Sequence, residues 1–351
     1  MIEFKVIREK EKWNNVLEKY PKAGIYDGYD YLYSFLLHGD GIPLLFCYEE
    51  ESRGICLPVH LSDIKDSGLF MNHITQGEYY DMSTPYGYGG PLCFGPCDDE
   101  FKSAFIENLR DYCNRNKIVT LFFRFNPMTD NALLFNENIE TVRLKNTVFM
   151  DTSNEETIFK NMAPKTRNMV RKARKNGVNI ISDCGEKIME FKKIYDETMT
   201  RVGVDEYYFF EEKYYDYLKD NMSKNMIILY AVYEGLIVGA SIFLYDKNGM
   251  HYHLSGTMTK YRNMGINDYI LYSAALIAYK KGLKTLHLGG GSGAYDSLFS
   301  FKKHFNENGL RDFYIGRMIF DKEAFDKLVN IRIAYDKEFD KEKSFLIKYR
   351  G

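Results

Sequence analysis

Residues 44–61 read LLFCYEEESRGICLPVHL, and residues 228–245 read ILYAVYEGLIVGASIFLY. Each is an apolar run, a turn rich in Glu or Gly, and a second apolar run, the pattern of a β-hairpin. Tyr48, Glu49 and Gly54 meet Tyr233, Glu234 and Gly239 at one constant offset of 185 residues. Downstream of both, a helical pattern leads into a buried strand: IENLRDYCNRNKIVTLFF over 106–123 and ILYSAALIAYKKGLKTLHL over 270–288. Thr120 and Leu121 align with Thr285 and Leu286 at an offset of 165. The first copy therefore carries about 20 more residues between hairpin and helix, among them GEYYDMSTPYGYGGP over 77–91. Self-similarity at a fixed offset marks a repeated unit. We expect an α+β chain built as a tandem duplication. The first unit covers 1–147, completed by a C-terminal helix over 321–351; the second covers 148–320.

The strand-like TVRLKNTVFMDTS, 141–153, opens the second unit. The stretch DKEAFDKLVNIRIAYDKEFDKEK, 321–343, reads as one long helix with Phe325, Leu328, Ile331 or Ile333, and Tyr335 on a common face. The first unit is its expected packing surface.

Composition agrees with two soluble domains. The 351 residues carry 47 Lys plus Arg against 49 Asp plus Glu, with 45% hydrophobic and 27% charged. That profile excludes disordered and collagen-like classes, and a net charge of −2 excludes a uniformly basic nucleic-acid binder. MIEFKVIREKEKW alternates apolar and charged residues and contains no secretory core, and no run approaches a membrane span, so a cytoplasmic location is expected. Cys47, Cys56, Cys93, Cys97, Cys113 and Cys184 are too scattered for a disulfide framework, and the CxxxC of Cys93 and Cys97 brings no histidine with it. No metal site is expected. His251 and His253 share one face of a strand-like run, where a structural role is the simpler reading.

Four constellations carry chemistry. In NMAPKTRNMVRKARKNGVNI, 161–180, Pro164 suits a first helical turn and Gly177 a C-terminal cap. Between Lys160 and Lys175 lie Lys165, Arg167, Arg171, Lys172 and Arg174, and no acidic residue. Thr166, Met169, Val170 and Ala173 share the opposite face. So many like charges repel one another, and an anionic partner is the natural explanation: a pyrophosphate, a nucleotide or an RNA backbone. Arg262 and Gly265 have an RxxG spacing before a helix, which can face a phosphate. In LHLGGGSGAYDSLFSFKKHF, 286–305, Gly289, Gly290 and Gly291 end an apolar strand, and a helix over Tyr295 to Phe305 follows. Leu298, Phe301 and Phe305 are its expected apolar face. Lys302 falls at the border, positioned to reach a cleft, and Lys303 points to solvent. STPYGYGGP, 83–91, is either a binding loop or a structured turn with core tyrosines.

Taken in order, APKTRNMVRKARKNGV, YDETMTRVGVDEYYFFEEKYYDYL, YHLSGT, RNMGINDYILYSAALIAYKKGLKTLHLGGG and LFSFKKHF resemble the Fem-type peptidoglycan-bridge aminoacyltransferases within the GNAT acyltransferase superfamily. The resemblance runs from Met162 to Phe305, and TPYGYGGP is similar to a segment of the same group. It implies a tandem GNAT-like fold and amide formation on an amine of a cell-envelope precursor. Lys302 stands where the family keeps a lysine that stabilises the developing oxyanion. Arg262 and Gly265 match the GNAT donor signature, but Asn267 stands at its final small position. Donor contacts would come from Arg262, Gly265, Asn267, Gly289, Gly290 and Gly291. Lys165, Arg167 and Arg171 would hold phosphates, with Tyr86, Tyr208 and His253 as cleft polar groups. The donor would be aminoacyl-tRNA or acyl-CoA, with no tightly bound cofactor. Two alternatives stand beside this reading: an acyl-CoA-dependent N-acyltransferase of amino sugars or amino acids, and a catalytically degenerate GNAT-like protein that binds nucleotide or RNA. Oligomeric state is left open.

Overall fold

A computed structural model describes residues 2–70, 72–135, 137–291, 293, 296–340 and 346–351. The chain forms two compact units, Met1–Leu144 with Phe313–Gly351, and Lys145–Asp312. The boundary after the second unit thus falls at 312 rather than 320.

In the first unit, β1 (Glu3–Ile7) is followed by α1 (Lys10–Leu17) and α2 (Tyr29–His38). The hairpin read from the first quoted stretch is β2 (Ile42–Glu49) and β3 (Gly54–Asp63), paired from Glu49 with Gly54 to Ile42 with Leu61. Then come β4 (Tyr80–Ser83), β5 (Leu92–Phe94), α3 (Asp99–Arg115) and β6 (Ile118–Arg124). Asp98 caps α3 by accepting from the Phe101 amide at 2.8 Å, and Phe101, Phe105, Leu109 and Cys113 form its buried stripe. The chain passes to the second unit within β7 (Glu140–Asp151).

There, α4 (Glu155–Asn161), α5 (Pro164–Lys175), β8 (Asn179–Asp183), α6 (Ile188–Val202) and α7 (Glu212–Met222) precede the second hairpin. That hairpin is β9 (Met226–Tyr233) and β10 (Leu236–Asp246). It is followed by β11 (Gly249–Thr257), α8 (Ile266–Lys280), β12 (Thr285–Gly289) and α9 (Ser297–Lys303). Strand β13 (Leu310–Ile319) returns to the first unit, which α10 (Lys322–Tyr335) completes.

The two units share one strand order. In the first it is β1-β2-β3-β4-β6-β13, and in the second β8-β9-β10-β11-β12-β7. Every pairing is antiparallel except β4 with β6 and β11 with β12, which are parallel and each joined through a helix. The alignment at offset 165 holds at the level of register: Met82 faces Leu121 in one unit, and Met250 faces Leu286 in the other. The glycines matched at offset 185 are less equivalent. Gly54 pairs with Glu49, whereas Gly239 pairs with Ala231 past a bulge. A Cβ on Gly54 would sit 2.4 Å from the Phe94 ring, and one on Gly239 would sit 2.5 Å from Ile266. Both glycines permit close approach, but to different elements. The extra residues of the first unit also do not form one insertion, because they lie on both sides of β4, and GEYYDMS contributes that strand.

The C-terminal helix is shorter than expected. It ends at Tyr335, and Lys341–Lys343 lie outside the described residues. Phe325 and Leu328 pack with Ile64, Val119 and Tyr349 of the first unit. Ile333 and Tyr335 are instead exposed, and Arg332 is buried, donating to the carbonyls of Tyr349 and Gly351 at 2.8 Å each. No helix among the described residues is long and apolar enough to cross a membrane.

Candidate functional site

The site is built where two parallel strands part. Strands β11 and β12 pair only over Met250–His251 and Leu286–His287. Beyond that, the end of β11 is engaged by α6: the Thr257 carbonyl accepts from Arg201 at 2.9 Å, and its amide donates to the Thr198 hydroxyl at 3.0 Å. A Cβ on Gly256 would lie 2.7 Å from the Ile194 carbonyl, so glycine lets α6 lie directly on the strand. On the other side of the parting, Gly289 takes a left-handed backbone (φ +73°) and turns the chain out of β12 into Gly290 and Gly291.

Lys302 reaches this place from α9. Asp296 fixes the start of that helix, accepting from the Phe299 amide at 2.7 Å and the Gly293 amide at 2.8 Å. A Cβ on Gly291 would fall 1.9 Å from the same carboxylate, so the third glycine is needed for the cap. The helix begins at Ser297, and Tyr295 lies outside the described residues. Its buried face also differs from expectation. Phe299, Lys302 and Phe305 are inside, while Leu298 is exposed and Lys303 is half-buried. Lys302 is thus an interior residue, 7% exposed, rather than a border one.

The Lys302 ammonium donates to the Gly290 carbonyl at 2.7 Å and lies 5.5 Å from the Tyr252 ring centroid. It therefore touches both sides of the parted strands. Lys145, on β7, donates to the Gly291 carbonyl at 2.5 Å. Two lysines hang on consecutive carbonyls of the triple-glycine turn. Burial, and secondly the nearby Lys145 charge, push the Lys302 ammonium down to about 7, with Asp296 opposing. Lys145 is also lowered, by burial. Sequence reasoning missed Lys145; the available signal was a basic residue amid the apolar positions of the strand that opens the unit.

The sites expected around Lys302 divide into several groups. His253 is half-buried on β11, and the Tyr214 hydroxyl lies 2.7 Å from its Nε2. Burial, with His251 beside it, lowers its imidazole to about 3, so it is neutral and a poor proton acceptor near pH 7. Tyr208 is 37% exposed on a short 3-10 turn and packs edge-on against Tyr207. No hydrogen bond brings it to Lys302 among the described residues.

Helix α5 forms where the sequence placed it, with Thr166, Val170 and Ala173 buried and Met169 half-buried. Lys165 and Arg171 are exposed and Arg167 half-buried. The guanidinium groups of Arg167 and Arg171 lie 5.7 and 5.3 Å from the Phe159 ring centroid. The helix abuts the RxxG turn: Lys172 donates to the Asn263 carbonyl at 2.9 Å, and a Cβ on Gly265 would lie 2.4 Å from the Met169 carbonyl. Gly265 also has φ +78°, so close approach and backbone both require glycine there. Arg262 is exposed and makes no hydrogen bond or ion pair among the described residues. The Asn267 side chain accepts from the Thr257 hydroxyl, which joins α8 to the end of β11. Asp268 follows in the first turn of α8, and burial raises its carboxyl to about 6.

Tyr86 belongs to the other unit. Its ring stacks on Phe35 at 5.0 Å, and its carbonyl accepts from the Tyr31 hydroxyl at 2.9 Å. The loop around it seals the strands that correspond to β11 and β12. The Thr84 amide donates to the Phe122 carbonyl at 2.9 Å, the Gly89 amide donates to the Arg124 carbonyl at 2.7 Å, and the Arg124 amide donates to the Thr84 hydroxyl at 2.8 Å. STPYGYGGP is an ordered loop in which Tyr86 and Tyr88 are half-buried rather than core. No group of three or more metal-ligating side chains occurs among the described residues.

Against known proteins, residues 135–234 match the model of the FemAB family. The Fem-type resemblance is found in that match over the first two of its motifs, APKTRNMVRKARKNGV and YDETMTRVGVDEYYFFEEKYYDYL. The fold is similar to the crystal structure of FemX, with a TM-score of 0.69 at 12% identity, covering 93% of this chain and 99% of that one. It is also similar to L-PGS from Bacillus licheniformis, with a TM-score of 0.56 at 15% identity, covering 93% and 97%. A tandem GNAT protein from the clavulanic acid biosynthesis pathway matches with a TM-score of 0.51 at 7% identity, covering 92% and 100%. The tandem GNAT-like fold is therefore established. No curated protein matches the sequence.

Proposed function

We propose that this chain, which carries a FemAB-family segment over residues 135–234, is an amide-forming acyl- or aminoacyltransferase acting on an amine of a cell-envelope precursor. The observation that carries the reading is Lys302, buried in the gap between parted parallel strands with its ammonium on the Gly290 carbonyl. Attack of a neutral amine on an ester or thioester carbonyl builds negative charge on the carbonyl oxygen. A pre-positioned cation in a water-poor site is what stabilises it. An ammonium has three N–H donors, and the Gly290 carbonyl orients the group by accepting one of them. Burial holds the Lys302 ammonium down at about 7, so its charge is kept at a cost that an oxyanion beside it would offset.

The unequal strand ends support a division of labour. The second unit has the gap and the lysine pair, while the loop from Thr84 to Gly89 closes the matching place in the first. Donor chemistry then belongs to the second unit. Arg167, Arg171 and Lys165 on α5 would hold phosphates of the donor or acceptor.

Between donors, aminoacyl-tRNA is favoured over acyl-CoA. A pyrophosphate at the N-terminus of α8 would meet the Asp268 carboxyl in the first turn, and the Asn267 side chain is already engaged by Thr257. The exposed Arg262 and the RxxG turn are what keep acyl-CoA as the second reading.

The test is a product assay. Purified protein is incubated with charged tRNA or acyl-CoAs and amine-bearing cell-envelope precursors, and amide products are read by mass spectrometry. Product from charged tRNA that disappears with Lys302→Met supports the reading. Product only from acyl-CoA moves the chain to the second one. Salt-dependent tRNA binding with no product from either donor would leave a binding protein and overturn the transferase assignment.

A further inference from the structure

Lys145 lies outside the motifs that point to Lys302, on the strand that opens the second unit, yet its side chain is tied to the same turn. Strands β12 and β7 pair from Thr285 with Asp151 to His287 with Phe149, and a bulge at Leu288 then brings Gly289 opposite Val148. The ladder stops at that pair, so Gly290 and Gly291 have no strand pairing to fix them. Glycines lose more conformational freedom on ordering than any other residue, and such a turn needs another restraint.

Lys145 supplies it. Its stem lies along Gly290, where an added Cβ would sit 3.4 Å from Lys145 Cε and 3.1 Å from the Asn146 carbonyl. Its ammonium donates to the Gly291 carbonyl at 2.5 Å. Asp296 holds the same turn from α9, where an added Cβ on Gly291 would fall 1.9 Å from the carboxylate. The Gly290 carbonyl, between these two restraints, accepts the Lys302 hydrogen bond at 2.7 Å. It is the one hydrogen bond that the Lys302 ammonium makes among the described residues.

The charged or titratable groups that face Lys302 are Lys145 from β7, Asp296 from the start of α9, His287 from β12 and Tyr252 from β11. Burial, then His251 and Lys302, hold His287 well below its ordinary range, so it is neutral. Burial pushes the Tyr252 phenol up, so it is neutral too. Among the described residues Lys145 is the like charge of this set and Asp296 the opposite one.

We infer that Lys145 is a positioning residue for the Lys302 site: by holding the Gly291 carbonyl it fixes the glycine turn, and through the Gly290 carbonyl it fixes where the Lys302 ammonium points. The inference rests on the reading of Lys302 as the cation beside the reacting carbonyl. Two consequences separate it from a support that only stiffens the fold. Removing the like charge should let Lys302 keep its proton to higher pH. Arginine, which keeps the charge and the donors, should stand in for Lys145 better than methionine, which keeps only the stem.

The experiment compares full-length wild type, Lys145→Met, Lys145→Arg and Lys302→Met, with circular dichroism establishing that each is folded. The first readout needs no turnover: isotope-labelled lysine is titrated by NMR, Lys302 being the signal that Lys302→Met lacks. Its midpoint should rise by about one pH unit in Lys145→Met and stay closer to wild type in Lys145→Arg. Lys145→Gln, neutral but still a donor, gives the same titration reading should the methionine variant not fold. The second readout is the product assay. There kcat should fall about ten- to a hundredfold in Lys145→Met, with KM changed by less than about twofold, and Lys145→Arg should recover most of the loss. An unchanged Lys302 midpoint in the folded neutral variant, or an unchanged kcat where wild type turns over, overturns the inference. If wild type itself gives no product, the transferase reading falls, and the titration alone decides whether Lys145 acts on Lys302.

Discussion

The Lys302 ammonium lies 2.7 Å from the carbonyl oxygen of Gly290, one residue before the carbonyl that holds Lys145. That hydrogen bond ties a buried cation on α9 to the turn that leaves β12. It concentrates the consequences of folding on one side chain.

Lys302→Met keeps the stem and removes the charge. Turnover should fall by about 10²- to 10³-fold, as when one preorganised oxyanion donor is removed. Because the ammonium is desolvated, the variant should be as stable as wild type or more so near pH 7. Product formation and urea midpoints measured on the same preparations check both halves.

The pH dependence has a definite sign. Lys302 is depressed from 10.5 to about 7 in the folded protein, so between those values the unfolded chain binds more protons and stability rises with pH. Below about 7 the native ammonium is charged and the penalty is fully present. The stability gap between Lys302→Met and wild type should therefore be largest near pH 7 and shrink toward pH 10. Urea titrations at pH 7 and pH 9.5 measure it; a constant gap would contradict a depressed lysine.

Gly265→Ala tests the junction of α5 with the RxxG turn. The new Cβ meets the Met169 carbonyl at 2.4 Å in a left-handed backbone, and the cost should be about 1–3 kcal/mol. Gly177→Ala is the control, since it also has positive φ but nothing within 4 Å. Its loss should be the smaller of the two in chemical denaturation.

Charge reversal on α5 separates phosphate binding from chemistry. Arg171→Glu should weaken binding of charged tRNA across all sequences and flatten the salt dependence by about one unit of slope for each phosphate that is no longer neutralised. Lys302→Met should leave that slope unchanged. Fluorescence titrations at several salt concentrations distinguish the two.

Asn267→Ala restores the small residue of the donor signature. If the Thr257 bond and Asp268 set donor choice, the variant should lose about 1–3 kcal/mol of stability and gain no acetyl-CoA affinity. Calorimetry reads the second outcome, and saturable acetyl-CoA binding by the variant would make Asn267 alone the barrier.

Local pattern carried much of this fold. The hairpins at β2–β3 and β9–β10, the helix from Pro164, and the Thr120/Thr285 alignment all follow from side-chain periodicity, which depends on neighbours in sequence. Helix faces at chain ends were less legible. In α9 the period placed Leu298 inside, but in the helix that Asp296 caps it is Phe299 and Lys302 that are buried. In α10, Arg332 is drawn inward by carbonyls of Tyr349 and Gly351 that no helical period announces.

By itself the sequence determined that two related units alternate strands with helices, that one helix concentrates positive charge, and that Lys302 is the lysine to watch. Only the tertiary structure decided that β11 and β12 part after two residue pairs while Thr84 and Gly89 keep the matching strands of the first unit together. It also brought Lys145 to the turn beside Lys302 across 146 residues of chain. Periodicity reports which face of an element is apolar. Where two strands separate, and which charge lies near which carbonyl, is settled by hydrogen bonds between groups distant in sequence, and no local pattern encodes them.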